Sequence, residues 1–91
     1  MGARARRQSR RVPRFLIHHR HEPHLCGVAF TAFKGHQTPL RHCPALASCL
    51  DGDHAIWWTV EADSEADALR QVPFFVAQRS TVTRVSEVVI P

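Results

Sequence analysis

Residues 46–61 read Leu-Ala-Ser-Cys-Leu-Asp-Gly-Asp-His-Ala-Ile-Trp-Trp-Thr-Val-Glu. Two apolar runs flank Asp51-Gly52, a dipeptide suited to a two-residue type I′ reversal, in which both central residues take positive φ. The expected hairpin pairs Leu46–Leu50 with His54–Glu61 and sets Leu50 opposite Asp53, Cys49 opposite His54 and Ala47 opposite Ile56. Its second strand is apolar on both sides, with Ile56, Trp58 and Val60 on one and Ala55 and Trp57 on the other. A strand with one wet face alternates with polar residues. This one is therefore expected inside a sheet that is covered twice.

Upstream, Arg14–His21 is a short apolar segment turning polar, which predicts a first strand. Pro23 suits the first turn of a helix. Leu25, Val28, Ala29, Ala32 and Phe33 then recur with helical period up to Gly35, a residue that can close a helix in the left-handed region. The pattern predicts a helix over 24–34 and a polar loop over 36–44, punctuated by Pro39 and Pro44.

Downstream, Ser64 and Asp67 form a shortened capping box. Ala66, Leu69 and Val72 share a face until Pro73 interrupts, Phe74-Phe75-Val76 makes a short extra turn, and β-branched Thr81–Ile90 reads as the last strand. The order β-α-β-β-α-β predicts an α+β, ferredoxin-like antiparallel sheet with both helices on one face. The other face would then be a large apolar patch. A core drawn from residues 14–91 supplies only about 3–5 kcal/mol alone. Both considerations point to a homodimer with sheets packed face to face.

A resemblance accompanies this pattern. Trp57-Trp58-Thr59-Val60-Glu61-Ala62, then Ser64–Val72, Val72-Pro73-Phe74-Phe75 and the ending Ile90-Pro91 resemble the second half of muconolactone isomerase-like and YCII-related small proteins, members of the dimeric α/β-barrel superfamily. The resemblance implies the fold and the dimer. It names no catalytic residue, because the His- and Cys-rich first half departs from that pattern.

At 91 residues, with 44% hydrophobic and 22% charged, the chain has room for one globular domain. No apolar run approaches the roughly 20 residues a spanning helix needs, so no membrane segment is expected. Three cysteines, an odd number, make no disulfide framework and favour a reducing compartment, the cytoplasm. Charge is unevenly placed. Six arginines (Arg4, Arg6, Arg7, Arg10, Arg11 and Arg14) lie within residues 1–14 without an acid, whereas residues 15–91 balance at −2. Residues 1–13 read as a disordered basic arm able to touch phosphates weakly, and residues 14–91 as the folded domain, which is no basic nucleic-acid binder. The arm carries no aromatic for stacking on bases.

All seven histidines and all three cysteines lie between residues 18 and 54. If the first strand pairs with the third, His19 and His21 lie beside His54, with Cys49 and the helix entrance (His24, Cys26) at the same edge. His19, His21, Cys49 and His54 are the expected ligands. His19 and His21 share a strand face, Cys49 faces His54 across the hairpin, and such N/S donors suit Zn, Cu or Ni. Glu22 or Asp53 is placed to orient an imidazole. Cys26 is read as a small buried hydrophobe. A cluster of this kind binds a transition metal or a small molecule. One alternative is a muconolactone isomerase-like enzyme using His19, His21 or His54 as general acid or base, in a pocket lined by Trp57 or Trp58. A second is a non-catalytic dimeric interaction module.

Overall fold

Alternation along the first strand decides which way the sheet faces. In β1 (Arg14–Arg20), Phe15, Ile17 and His19 are buried, while Arg14 and Arg20 at its ends are exposed. The computed structural model describes residues 12–91, so the expected arm lies outside the described residues except for Val12 and Pro13. The remaining strands are β2 (Leu46–Ala47), β3 (Ala55–Glu61) and β4 (Ser80–Val85). They form one antiparallel sheet in the order β2-β3-β1-β4.

The register places Ile17 opposite both Trp58 and Val82, Phe15 opposite Val60, and His19 opposite Ile56. These residues build one face. Residues from both long connections close over it: Phe33 and Leu40 from the first, and Ala68, Leu69, Val72, Phe75 and Val76 from the second. Ile17, His19 and Val76 are the largest fully buried side chains. Each aliphatic one contributes roughly 1.5–3 kcal/mol by leaving water. A fully buried histidine among them gains no such transfer term and needs hydrogen-bond partners instead.

Three short helices complete the chain: α1 (Cys26–Thr31), α2 (Glu65–Leu69) and α3 (Phe74–Ala77). Ser64 Oγ accepts the Asp67 N–H at 3.1 Å and so starts α2. Pro73, with φ −67° and ψ 160°, starts α3, the short turn expected there. The first helix is shorter than the spacing predicts. A 3₁₀ turn (Pro23–Leu25) precedes it, and bonds from Lys34 N–H to Thr31 C=O and from His36 N–H to Phe33 C=O tighten its end until Gly35, at φ 81°. Thr31 Oγ donates back to the Gly27 carbonyl at 2.8 Å, the local competition that disfavours a longer helix.

Two strand expectations change. Ala47 does face Ile56. The reversal between β2 and β3, however, is a 3₁₀ turn over Cys49–Asp51 closed by Gly52 at φ 95°, rather than a type I′ turn. Ser48 is the reason. Its carbonyl accepts the N–H groups of Asp51 and Asp53 at 2.9 and 3.1 Å, and its Oγ accepts the Ala55 N–H at 3.1 Å. The last strand stops at Val85 rather than Ile90, because Val85 already faces Arg14, the first residue of β1. Pro13 has no N–H to offer beyond it, and its carbonyl is taken by Ala62. Val88, Val89 and Ile90 are left exposed.

On the opposite face Leu16, His18 and Trp57 are half-buried, and the His18 ring stacks on Trp57 at 5.2 Å with 7° between planes. No helix among the described residues is long and apolar enough to cross a membrane.

Candidate metal centre

The β1–β3 ladder runs one residue past the strand, where the His21 N–H donates to the His54 carbonyl at 3.0 Å. This pins His21 against the entrance of β3. Glu22 then begins a tight turn, its carbonyl accepting the Leu25 N–H at 2.9 Å, with Pro23 holding φ where the turn needs it. Cys26, the first residue of α1, is thereby returned to the end of the sheet. Across from it, the Ser48-anchored reversal carries Cys49 on one side and His54 on the other. One donor atom from each of His21, Cys26, Cys49 and His54 lies within 4.8 Å of all the others.

Three of these residues belong to the expected set of His19, His21, Cys49 and His54. His19 stands behind them rather than among them. Its Nδ1 lies 3.3 Å from the Val76 carbonyl and its Nε2 lies 3.0 Å from His21 Nδ1. A carbonyl only accepts, so His19 carries its proton on Nδ1 and its Nε2 is an acceptor. His21 must then donate from Nδ1, which leaves its Nε2 with a free lone pair. That nitrogen lies 3.7 Å from Cys49 Sγ. The chain from Val76 through His19 thus selects the His21 tautomer that a metal ion requires, a task usually performed by a carboxylate or a carbonyl.

Electrostatics supports the same protonation state. Burial, the largest cause, pushes His19 below its ordinary value of 6.5; the Val76 hydrogen bond opposes this, and neighbouring positive groups add to it. Burial likewise lowers His21, helped by His54. Both shifts favour the neutral imidazole, and of the two only His21 keeps a ring nitrogen free to coordinate. The Cys49 thiol is pushed up by burial and by the neighbouring Cys26 thiol, so binding a cation there releases protons. His54 Nδ1 is buried without a hydrogen-bond partner. Such an orphan costs roughly 1–3 kcal/mol.

The two carboxylates expected to orient an imidazole do other things. Asp53 forms a two-pronged pair with the Arg20 guanidinium at 2.8 and 3.3 Å, which holds its carboxyl below the usual range. Glu22 faces Arg79 at 3.7 Å. Cys26, read from the sequence as a small buried hydrophobe, is instead half-exposed and offers the fourth candidate donor atom. The signal that marks it is Pro23, whose tight turn returns the chain to the edge that holds Cys49.

The other histidines and the third cysteine lie elsewhere. His36 Nε2 bonds the Arg70 carbonyl at 3.0 Å, His24 and His42 are exposed, and Cys43 Sγ donates to the Pro39 carbonyl at 3.2 Å. A cavity of about 260 Å³ is lined by Phe30, Phe33, Lys34, Leu40, Arg41, His42 and Cys43. Neither tryptophan nor any of the four donors lines it, so it is not the tryptophan-lined pocket that the isomerase-like alternative needs. No family model, curated protein or solved structure matches the chain, and the donor geometry alone carries the functional reading.

Proposed function

We propose that this protein is a zinc-binding domain whose site consists of His21, Cys26, Cys49 and His54. The observation that carries the reading is the convergence of two sulfurs and two imidazoles within 4.8 Å. Two thiolates and two neutral imidazoles favour tetrahedral Zn²⁺ over the tetragonal sites typical of Cu²⁺ and Ni²⁺. With Zn–S about 2.3 Å and Zn–N about 2.0–2.1 Å, the S···N edge of a tetrahedron is about 3.6 Å. The Cys49–His21 separation of 3.7 Å is close to that edge. Four protein donors leave no open position for a reacting water, so the ion is held structurally or for sensing rather than for hydrolysis. The three free cysteines fit a reducing compartment such as the cytoplasm.

The test uses Co²⁺ as a spectroscopic stand-in added to chelator-stripped protein. Intense visible bands of a four-coordinate ion and a thiolate charge-transfer band are expected at one equivalent. Cys26→Ser and Cys49→Ser should each weaken the charge-transfer band. The pale spectrum of a six-coordinate ion would overturn the assignment.

The surrounding architecture supports a ferredoxin-like reading, with the order β2-β3-β1-β4 and two helical connections over one face. On the other face, Leu16, Trp57 and Val85 are each only half-buried, and His18 Nε2 is buried without a partner. A second copy of the chain, packed sheet to sheet as in the superfamily that residues 57–91 resemble, would cover that surface. Trp57→Glu should convert such a dimer to monomers in sedimentation equilibrium. A wild-type chain that is monomeric at high micromolar concentration rules the dimer out.

A further inference from the structure

The two sulfur donors have a property that the two imidazoles lack: they can be joined to each other. Cys26 and Cys49 are both half-exposed, and their sulfurs lie within 4.8 Å. A disulfide needs about 2.05 Å, so the sulfurs must close by less than 3 Å. Each sits at the start of an element, Cys26 at the first residue of α1 and Cys49 at the first residue of the 3₁₀ turn. Neither belongs to the β1–β3 ladder, so a small shift at either position leaves the pairing of the sheet intact. The third thiol, Cys43, is exposed in a different loop and bonded to Pro39.

Resting on the zinc reading above, we infer that the site is an oxidation-released one, in which hydrogen peroxide converts the Cys26–Cys49 thiolate pair to a disulfide and discharges the ion. One thiolate attacks the peroxide, forming an S–O bond as the O–O bond breaks and hydroxide leaves. The other thiolate attacks that sulfur, forming the S–S bond as the S–O bond breaks and a second hydroxide leaves. Two thiolates supply the two electrons that reduce one peroxide, and two solvent protons neutralise the two hydroxides. The ion remains Zn²⁺ throughout. It loses two of its four donors and both of their negative charges, which leaves His21 and His54 alone to hold it. The new covalent tie joins the same two segments that the ion joined, so release does not require the domain to unfold. A thiol reductant reverses the step and restores the donors.

The experiment uses full-length Cys43→Ser protein, which retains only the pair in question, loaded with Zn²⁺ and treated with hydrogen peroxide. Released zinc is followed with a chromogenic chelator. Intact mass and a non-reduced peptide map follow the sulfur. The expected result is one zinc released per disulfide, a mass lower by two hydrogens, a peptide linking residues 26 and 49, and recovered binding after reduction. Zinc retained under peroxide that oxidises a free-cysteine control overturns the gate, as does zinc lost with oxygen added to sulfur and no cross-link. Failure to take up zinc before any oxidant is present sinks the metal reading itself, so the two failures are distinguishable. In Cys26→Ser/Cys43→Ser protein, peroxide should leave a sulfenic acid on Cys49 that a dione probe traps, with no cross-link within the chain.

Discussion

His19 is the residue on which the site turns, although it contributes no donor atom to the cluster. It occupies a core position with no exposure and gives up both ring nitrogens, one to Val76 and one to His21. His19→Phe keeps the ring volume but removes the acceptor for His21 Nδ1, which frees His21 to adopt the wrong tautomer. Zinc affinity should fall by about 10–100-fold, the usual effect of losing an orienting partner. Competition with a chromogenic chelator measures it, and unchanged affinity would show that the hydrogen-bond chain is incidental. The same two histidines govern acid stability in metal-free protein. Their folded values lie below the ordinary 6.5, so the unfolded chain binds protons first as pH falls. Stability is therefore fully present above about pH 6.5 and declines as pH drops through the depressed values, with a slope approaching about 1.4 kcal/mol per pH unit for each group. Urea titrations in the presence of a chelator between pH 7.5 and 4.5 test the sign. Stability that rises on acidification contradicts it.

At the scale of elements, the reversal between β2 and β3 sets the spacing of Cys49 and His54. Gly52 takes φ 95°, and a methyl group there would meet nothing within 4 Å. Gly52→Ala therefore introduces backbone strain without a clash and should cost roughly 1–2 kcal/mol, while zinc binding survives. Chemical denaturation together with a zinc titration separates the two effects. Ser64→Ala removes the cap of α2 and should cost about 1 kcal/mol with no change in zinc affinity, because α2 contributes no donor. Several of these elements were legible in the chain. The Ser64–Asp67 spacing, the left-handed Gly35, the turn after Pro73 and the Ala47–Ile56 register each follow from local chemistry. The type I′ reversal was not, because Ser48 offers the backbone three competing hydrogen bonds that a dipeptide preference cannot weigh. The strand expected through Ile90 was not either, since β-branched residues extend only while a partner strand remains.

Across the whole molecule, the ion would tie three separate segments: the end of β1, the entrance of α1 and the β2–β3 reversal. β2 is only two residues long, so the strand ladder itself holds that reversal to the sheet only briefly. Removing zinc should lower the midpoint of thermal unfolding. For free zinc at 1,000 times its dissociation constant, the loss corresponds to about 4.1 kcal/mol. Hydrogen exchange should show the largest gain in the amides of residues 45–54, and uniform change across the sheet would contradict a local tie.

The sequence by itself determined the α+β class, where each strand begins though not where it ends, and the stretch of chain that holds every imidazole and thiol. Those follow from short-range periodicity, turn chemistry and composition, which neighbouring residues settle among themselves. Only the tertiary structure decided that Cys26 joins His21, Cys49 and His54 while His19 stands behind them. That choice depends on where a tight turn after Pro23 returns the chain, and on a hydrogen bond to Val76, 57 residues away from His19. No local pattern encodes a contact across that separation, because it exists only once β1 and α3 are packed together.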